Sequence, residues 1–163
     1  MSVDGTALRA IMRRYPTGIV VITTRGDGEV RGMTAGSFSS LSLTPPLVTF
    51  SVMNEARLLS ALRAAAGFTV NILGDHQRDI SDRFARPGLS GPEQFAGIAH
   101  ESDGRGIPAL AGCLGWLDCE LLPLVPGGDH AIVLGRVTAI RQGQEGPPLL
   151  FHGGGYHRLG DPL

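Results

Sequence analysis

GMTAGSFSSLSLTPPLVTFSV, residues 32–52, sets small hydroxyl residues among apolar ones and carries no charge. Thr34, Ser37, Ser39, Ser40, Ser42, Thr44, Thr49 and Ser51 are interleaved with Met33, Phe38, Leu41, Leu43, Leu47, Val48, Phe50 and Val52. Much of the run alternates, as a β-strand with two unlike faces does. Pro45-Pro46 interrupts it, because proline supplies no ladder donor. The expected order is strand, turn, strand. Arg31 and Glu55 are the nearest charges, one beyond each end. The hydroxyls either face water and neighbouring backbone, or join backbone N–H groups to cradle a flat, polar-edged ligand and its phosphate. The pattern alone favours the first.

Upstream, Thr17–Thr24 (TGIVVITT) is a β-branched strand, and Gly26-Asp27-Gly28 signals a hairpin. Residues 4–14 predict a helix capped by Asp4, with Leu8, Ile11 and Met12 at helical spacing and Pro16 ending it. Downstream the period changes. Asn54 would cap a helix to about Ala66, with Leu58, Leu59 and Leu62 on one face and Gly67 stopping it. Phe68–Leu73 reads as a strand. A second helix over Gln77–Ala85 turns Ile80 and Phe84 inward and Arg78, Asp79, Asp82 and Arg83 outward.

Residues 87–110 are polar, rich in Gly and Pro, and read as a loop of functional length. Strands over Gly112–Leu122 and Ala131–Arg141 flank a turn, and Pro148–Phe151 is a short last strand. Six or more short strands, mostly joined as hairpins, with two or three helices, predict an antiparallel β-barrel with peripheral helices.

The 163 residues suit a single domain, 1–163, with one sizeable core. A net charge of −1 offers no basic field for nucleic acid. No apolar run approaches the ~20 residues that span a bilayer, and the first residues lack the apolar core of a signal peptide. A cytoplasmic protein is expected. Cys113 and Cys119 fall in one expected strand, ~20 Å apart along it and beyond disulfide reach. No CxxC occurs, and the five histidines form no HExxH pair. No metal site is expected. The 24 glycines and 11 prolines imply many turns.

Four segments in order resemble one family: YPTGIVVIT (15–23), GMTAGSFSSLSLTPPLVTFSV (32–52), FTVNIL…Q…ISDRFA (68–85), and GDHAIVLGRV (128–137) ahead of GGGYHRL (153–159). Together they are similar to the short-chain NAD(P)H:flavin oxidoreductases, the reductase components of two-component flavin-dependent monooxygenases. The resemblance covers about residues 8–159. It implies a split β-barrel that binds flavin without a GxGxxG fold, and no such fingerprint is present.

What the resemblance implies can be written residue by residue. Gly32, Met33, Thr34 and Ala35 would run along the isoalloxazine, with backbone N–H groups on its polar edge and small residues permitting close approach. Ser37, Ser39 and Ser40 would reach the ribityl chain or phosphate. Thr49 and Ser51, two apart on one strand face, would meet the same cleft. Arg83 and Phe84 would supply a phosphate cation and an apolar wall. His130 would sit beside the nicotinamide, and Tyr156 and His157 would border the cleft. Each has a plainer competitor: Arg83 as a surface partner of Asp79, His130 as a turn histidine bonded to Asp129, and Tyr156 as a core aromatic. Residues near Arg105 and Arg158 are candidates for a 2′-phosphate, and 87–110 for a nicotinamide lid.

The implied reaction is reduction of free FMN or FAD by NADH or NADPH, by hydride transfer between stacked rings. No dedicated general base is required. Reduced flavin would diffuse to a separate oxygenase, and the reductase would be a homodimer. The alternatives are a flavoprotein retaining FMN as an oxidase, electron carrier or ferric reductase, and a non-enzymatic barrel for another apolar ligand.

Overall fold

The computed structural model describes residues 3–163. In chain order its elements are α1 (Gly5–Met12), β1 (Thr17–Gly18), β2 (Val20–Gly26), β3 (Glu29–Ala35), β4 (Ser39–Leu43), β5 (Pro46–Met53), α2 (Arg57–Arg63) and β6 (Gly67–Ile72). A short 3₁₀ turn leads into α3 (Arg78–Ala85), followed by α4 (Gly91–Phe95), β7 (His100–Ser102), β8 (Pro108–Leu110) and β9 (Gly115–Leu121). Then come β10 (Val125–Gly127), β11 (His130–Gln142), β12 (Leu149–His152) and β13 (Gly155–Arg158).

The main sheet is antiparallel throughout, in the order β3-β2-β6-β9-β11-β5-β4, with β10 added beside β11. β1, β12 and β13 form a small second sheet, and β7 pairs with β8. β2 runs through the middle of the fold and is buried on both faces. Val20 and Ile22 point into one cluster with Phe50, Leu59, Leu62, Phe68 and Val133. Ile19 and Val21 point into a second with Leu73, Phe84, Phe95 and Leu149. Two-sided burial explains why TGIVVITT is continuously apolar rather than alternating. β5 does alternate, with Val48, Phe50 and Val52 inward and Leu47, Thr49 and Ser51 on the outer face.

The hairpin expected at Gly26-Asp27-Gly28 is present, with Asp27 and Gly28 at φ 52° and 78°, as a two-residue turn between twisted strands requires. Asp4 caps α1 through Ala7 N–H at 2.7 Å. The architecture is mainly β, antiparallel, with four short α-helices where two or three were expected. Among the described residues no ladder joins β3 to β4 or β5, so the long sheet is open rather than a closed barrel.

Elsewhere the structure departs from sequence expectation for identifiable reasons. Residues 32–52 break twice, because after Ala35 the chain leaves β2 and turns at 36–38 before β4 begins. Asn54 does not cap α2: its side chain donates to the Gly128 carbonyl at 3.1 Å, and the capping position is Ala56, with no side-chain cap. Nor does Gly67 stop that helix, which ends at Arg63, leaving Gly67 to open β6. The segment 87–110 is not a plain loop. It holds α4, begun by a Ser90–Glu93 capping box, and the β7–β8 hairpin. Cys113 precedes β9 instead of sharing a strand with Cys119, and β13, unforeseen in the sequence, pairs back on β12.

Candidate functional site

β3 is an edge strand, and its free edge organises the site. With Gly26↔Glu29 closing the hairpin, Arg31, Met33 and Ala35 bond to β2, while Val30, Gly32 and Thr34 turn their backbone groups outward. Gly32 confirms this parity. Its N–H donates to Gln94 Oε1 at 3.1 Å and its C=O accepts from Gln94 Nε2 at 2.9 Å. The glutamine is 7% exposed. A methyl group at Gly32 would fall 2.5 Å from the Phe84 ring. The smallness of Gly32 therefore serves the packing of Phe84, and its backbone groups are already paired.

Thr34, one strand period on, differs. Its hydroxyl donates to the Ser81 carbonyl at 2.6 Å, yet no hydrogen bond to its outward N–H or C=O is found among the described residues. Ser81 Oγ in turn lies 2.8 Å from the Tyr156 hydroxyl. Burial raises the Tyr156 pKa above the ordinary phenol value. Tyr156 is thus half-buried, packed against the second core cluster and tied through α3 to β3. Met33 and Ala35 point the other way, into the cluster around Phe50.

The turn at 36–38 brings the hydroxyls of three elements together. Ser37 Oγ accepts from Ser51 N–H at 3.0 Å and lies 3.3 Å from the Ser51 carbonyl. Ser39 sits opposite Thr49 and Ser40 opposite Val48 in the β4–β5 ladder. Ser37, Ser39, Thr49 and Ser51 therefore share one outer corner, with Ser40 beside them. Ser37, Ser39 and Ser40 are exposed, Thr49 and Ser51 half-buried.

Two cavities bear on the site, and of the two it is the second that takes in a corner residue, Ser37. One, of about 380 Å³, has Gly32, Met33, Met53 and Phe84 as apolar walls and Arg31, Arg57 and Arg86 as cations. The other, of about 420 Å³, is lined by Arg9, Arg13, Tyr15, Gly36, Ser37 and Phe151 among others. In the first, Arg31 is held by Glu29 at 3.0 Å, whereas Arg57 makes only long contacts, 3.4 Å, to the Gly88 and Leu89 carbonyls. The Arg86 guanidinium makes no hydrogen bond or ion pair among the described residues. Sequence reading missed Met53, Arg57 and Arg86, which lie outside the hydroxyl pattern.

Arg83 is not on this wall. Its Nη1 donates to the Glu93 carbonyl at 2.9 Å, and Asp79 is not its partner. Phe84 is 2% exposed and stacks edge-on against Phe95 at 5.0 Å. His130 opens β11 opposite Met53, with Nδ1 2.7 Å from Asp129 Oδ1. That hydrogen bond is the main cause holding the Asp129 carboxyl below its usual range. His157 is exposed, with Nε2 3.1 Å from the His152 carbonyl.

Arg105 and Arg158 are each ion-paired, with Asp103 at 2.7 Å and Asp75 at 2.8 Å. Cys113 and Cys119 are buried free thiols, with pKa values pushed by burial to about 11 and about 12. No group of three or more potential metal ligands occurs among the described residues.

Apolar walls, an open amide–carbonyl pair on a strand edge, a hydroxyl corner and weakly held arginines suit a flat heteroaromatic ring with a phosphate-bearing tail. Residues 12–160 match the model of the flavin reductase like domain. The reductase component of 4-hydroxyphenylacetate 3-monooxygenase from Thermus thermophilus is 43% identical over 94% of this chain and 95% of its own length. An NADH:FMN oxidoreductase from Rhodococcus erythropolis is 39% identical over 92% of this chain and 79% of its own. Among solved structures, the NADH:FAD oxidoreductase SgcE6 of Streptomyces globisporus, in complex with NAD and FAD fragments, superposes with a TM-score of 0.89. It is 35% identical and is matched over 98% of this chain and 97% of that one.

Proposed function

This chain belongs to the flavin reductase like domain family, and from that premise we propose that it reduces free FMN or FAD with NADH or NADPH and releases the reduced flavin to a separate monooxygenase. The observation that carries the site assignment is the open backbone pair of Thr34, one strand period beyond Gly32 in the apolar cavity wall and just before the turn that carries Ser37. In this reaction the nicotinamide supplies a hydride and the flavin accepts it, so the protein's task is chiefly to stack two rings.

Thr34 N–H and C=O would meet the polar edge of the flavin, with Met33 and Met53 beneath the ring and Ala35 fixing the strand's approach. The Thr34 amide would also stabilise negative charge on the ring. Ser37, Ser39, Ser40, Thr49 and Ser51 would bind the ribityl hydroxyls. Arg57 and Arg86 would meet the phosphate, since neither is committed to a carboxylate. Gly32 and Phe84 shape the wall, and Tyr156 steadies Thr34 through Ser81. His130, oriented by Asp129, would position the nicotinamide. No side chain here needs to act as a general base.

The open sheet with its ends meeting at residues 36–38 is consistent with a split β-barrel. Leu8, Ile11 and Met12 on α1, with Tyr15, Leu41 and Leu43, are exposed apolar side chains. Their exposure supports a homodimer that would bury them, checked by light scattering after size-exclusion chromatography. A cytoplasmic location agrees with the two free thiols. No helix among the described residues is long and apolar enough to cross a membrane.

The test is oxidation of NADH and NADPH by protein freed of small molecules, with FMN, FAD or riboflavin added. Turnover that saturates in added flavin is expected. A yellow protein that turns over without added flavin would instead establish a retained cofactor. No oxidation in any combination would overturn the reductase reading.

A further inference from the structure

We propose that Arg83 and Gln94 are positioning residues forming one clamp on the free edge of β3, and that Arg83 does not contact the flavin phosphate. The inference rests on the flavin-reductase reading above. An edge strand left open along its length has no fixed edge register, and proteins cover such edges with helices or loops. Here the cover is graded. Gly91 lies against the Val30 carbonyl so closely that a methyl group there would stand 2.2 Å from it. Gln94, next along α4, replaces a missing strand at Gly32 by supplying both an acceptor and a donor. Beyond Gln94 the cover stops, and Thr34 is left open.

α4 is too short to hold itself in place, since five residues make barely more than one turn. Phe95 packs it on Phe84 and Gly91 N–H donates to Glu29, and Arg83 adds a tie from α3 by donating to the Glu93 carbonyl at 2.9 Å. Arg83 thus reaches the strand edge through Glu93 and Gln94. A primary amide is the right group for the clamp: it alone among common side chains offers a donor and an acceptor side by side. The result is an open position at Thr34 that is fixed in space by its closed neighbour, Gly32.

Three variants and two flavins test this. Arg83→Ala should raise the KM for FMN and for riboflavin by the same factor, about threefold, because one positioning hydrogen bond is lost in each case. Gln94→Met, which keeps length but not polarity, should raise both by about tenfold with the KM for NADH changed less than about twofold. Gln94→Glu keeps the acceptor for Gly32 N–H but sets a carboxylate against its carbonyl, and should fall between the two.

Hydrogen exchange at the Gly32 amide should quicken in Gln94→Met and in Arg83→Ala. That readout is independent of catalysis and survives even if the protein turns out not to reduce flavin. A riboflavin KM unchanged in Arg83→Ala while that for FMN rises would show a phosphate contact and overturn the proposal. So would unaltered Gly32 exchange in both variants. If Gln94→Met fails to fold, Gln94→Glu and Arg83→Ala decide the matter by the same two readouts. Wild-type protein without flavin turnover would refute the enzymatic reading instead.

Discussion

Two regions of this molecule are built from the same residue types and behave oppositely. On the paired strands β2 and β6, Thr23, Thr24, Thr69 and Asn71 are completely buried, and every one finds a protein partner. Thr24 donates to the Gly67 carbonyl at 2.7 Å, Thr69 to Asp118 at 2.8 Å, and Asn71 to the Val21 carbonyl at 2.9 Å while accepting from Leu110 N–H at 2.7 Å. At the outer corner, Ser39 and Ser40 are exposed, and Ser39's only side-chain hydrogen bond is to the adjacent carbonyl, at 3.0 Å. Hydroxyl content does not make a binding site. What separates the two regions is whether the hydrogen-bonding capacity is already consumed by the fold.

The sharpest way to break that comparison is Asn71→Ala. It should cost about 3 kcal/mol in urea unfolding, because it strands a buried carbonyl and a buried amide, while the flavin KM of the folded fraction stays within about twofold. A large catalytic effect with little loss of stability would reverse the assignment. His130→Ala is the counterpart at the exposed side: KM for NAD(P)H should rise about tenfold, or ~1.4 kcal/mol, with unfolding free energy moved by no more than about 0.5 kcal/mol.

The buried side also has a pH signature. Cys113 and Cys119 have folded pKa values raised by burial to about 11 and about 12. Their stabilising contribution is complete below the ordinary thiol pKa and declines as pH rises toward the folded values. Each should remove up to ~1.4 kcal/mol per pH unit in that window, seen as a falling midpoint in urea titrations between about pH 9 and 11. A serine replacement at either position should flatten the slope. Smallest of all is the paired variant Ser39→Ala with Ser40→Ala. It should change stability by less than about 0.5 kcal/mol and raise flavin KM about threefold. No change in KM would make the corner ordinary sheet surface.

The fold was legible where a repeat distance records it. β5 and α3 each carry a period that survives in the sequence, β2 shows as an unbroken β-branched run, and Asp27-Gly28 announces its turn. The site was legible only in part. The family resemblance pointed to Ser37, Ser39, Ser40, Thr49 and Ser51, and Ser37, Ser39, Thr49 and Ser51 do converge, with Ser40 beside them. It could not reveal that Gly32 is taken by Gln94, a residue 62 positions away, because one long-range amide contact leaves no periodic trace. The same holds for Arg83, whose place in ISDRFA suggests a charge for a ligand but whose guanidinium is held by a carbonyl on another helix. Asn54 has the right chemistry for a helix cap and is drawn to Gly128 instead, a tertiary contact overriding a local preference.

The open position at Thr34 has one further consequence, which concerns solubility. An exposed strand edge normally invites another chain to add itself as a further strand, and such addition feeds fibril growth. Here α4 occupies the positions before Thr34, and the chain turns away at 36–38 just after it. The gap is one donor and one acceptor long. That suffices for the rim of a small molecule and is too short to template a strand.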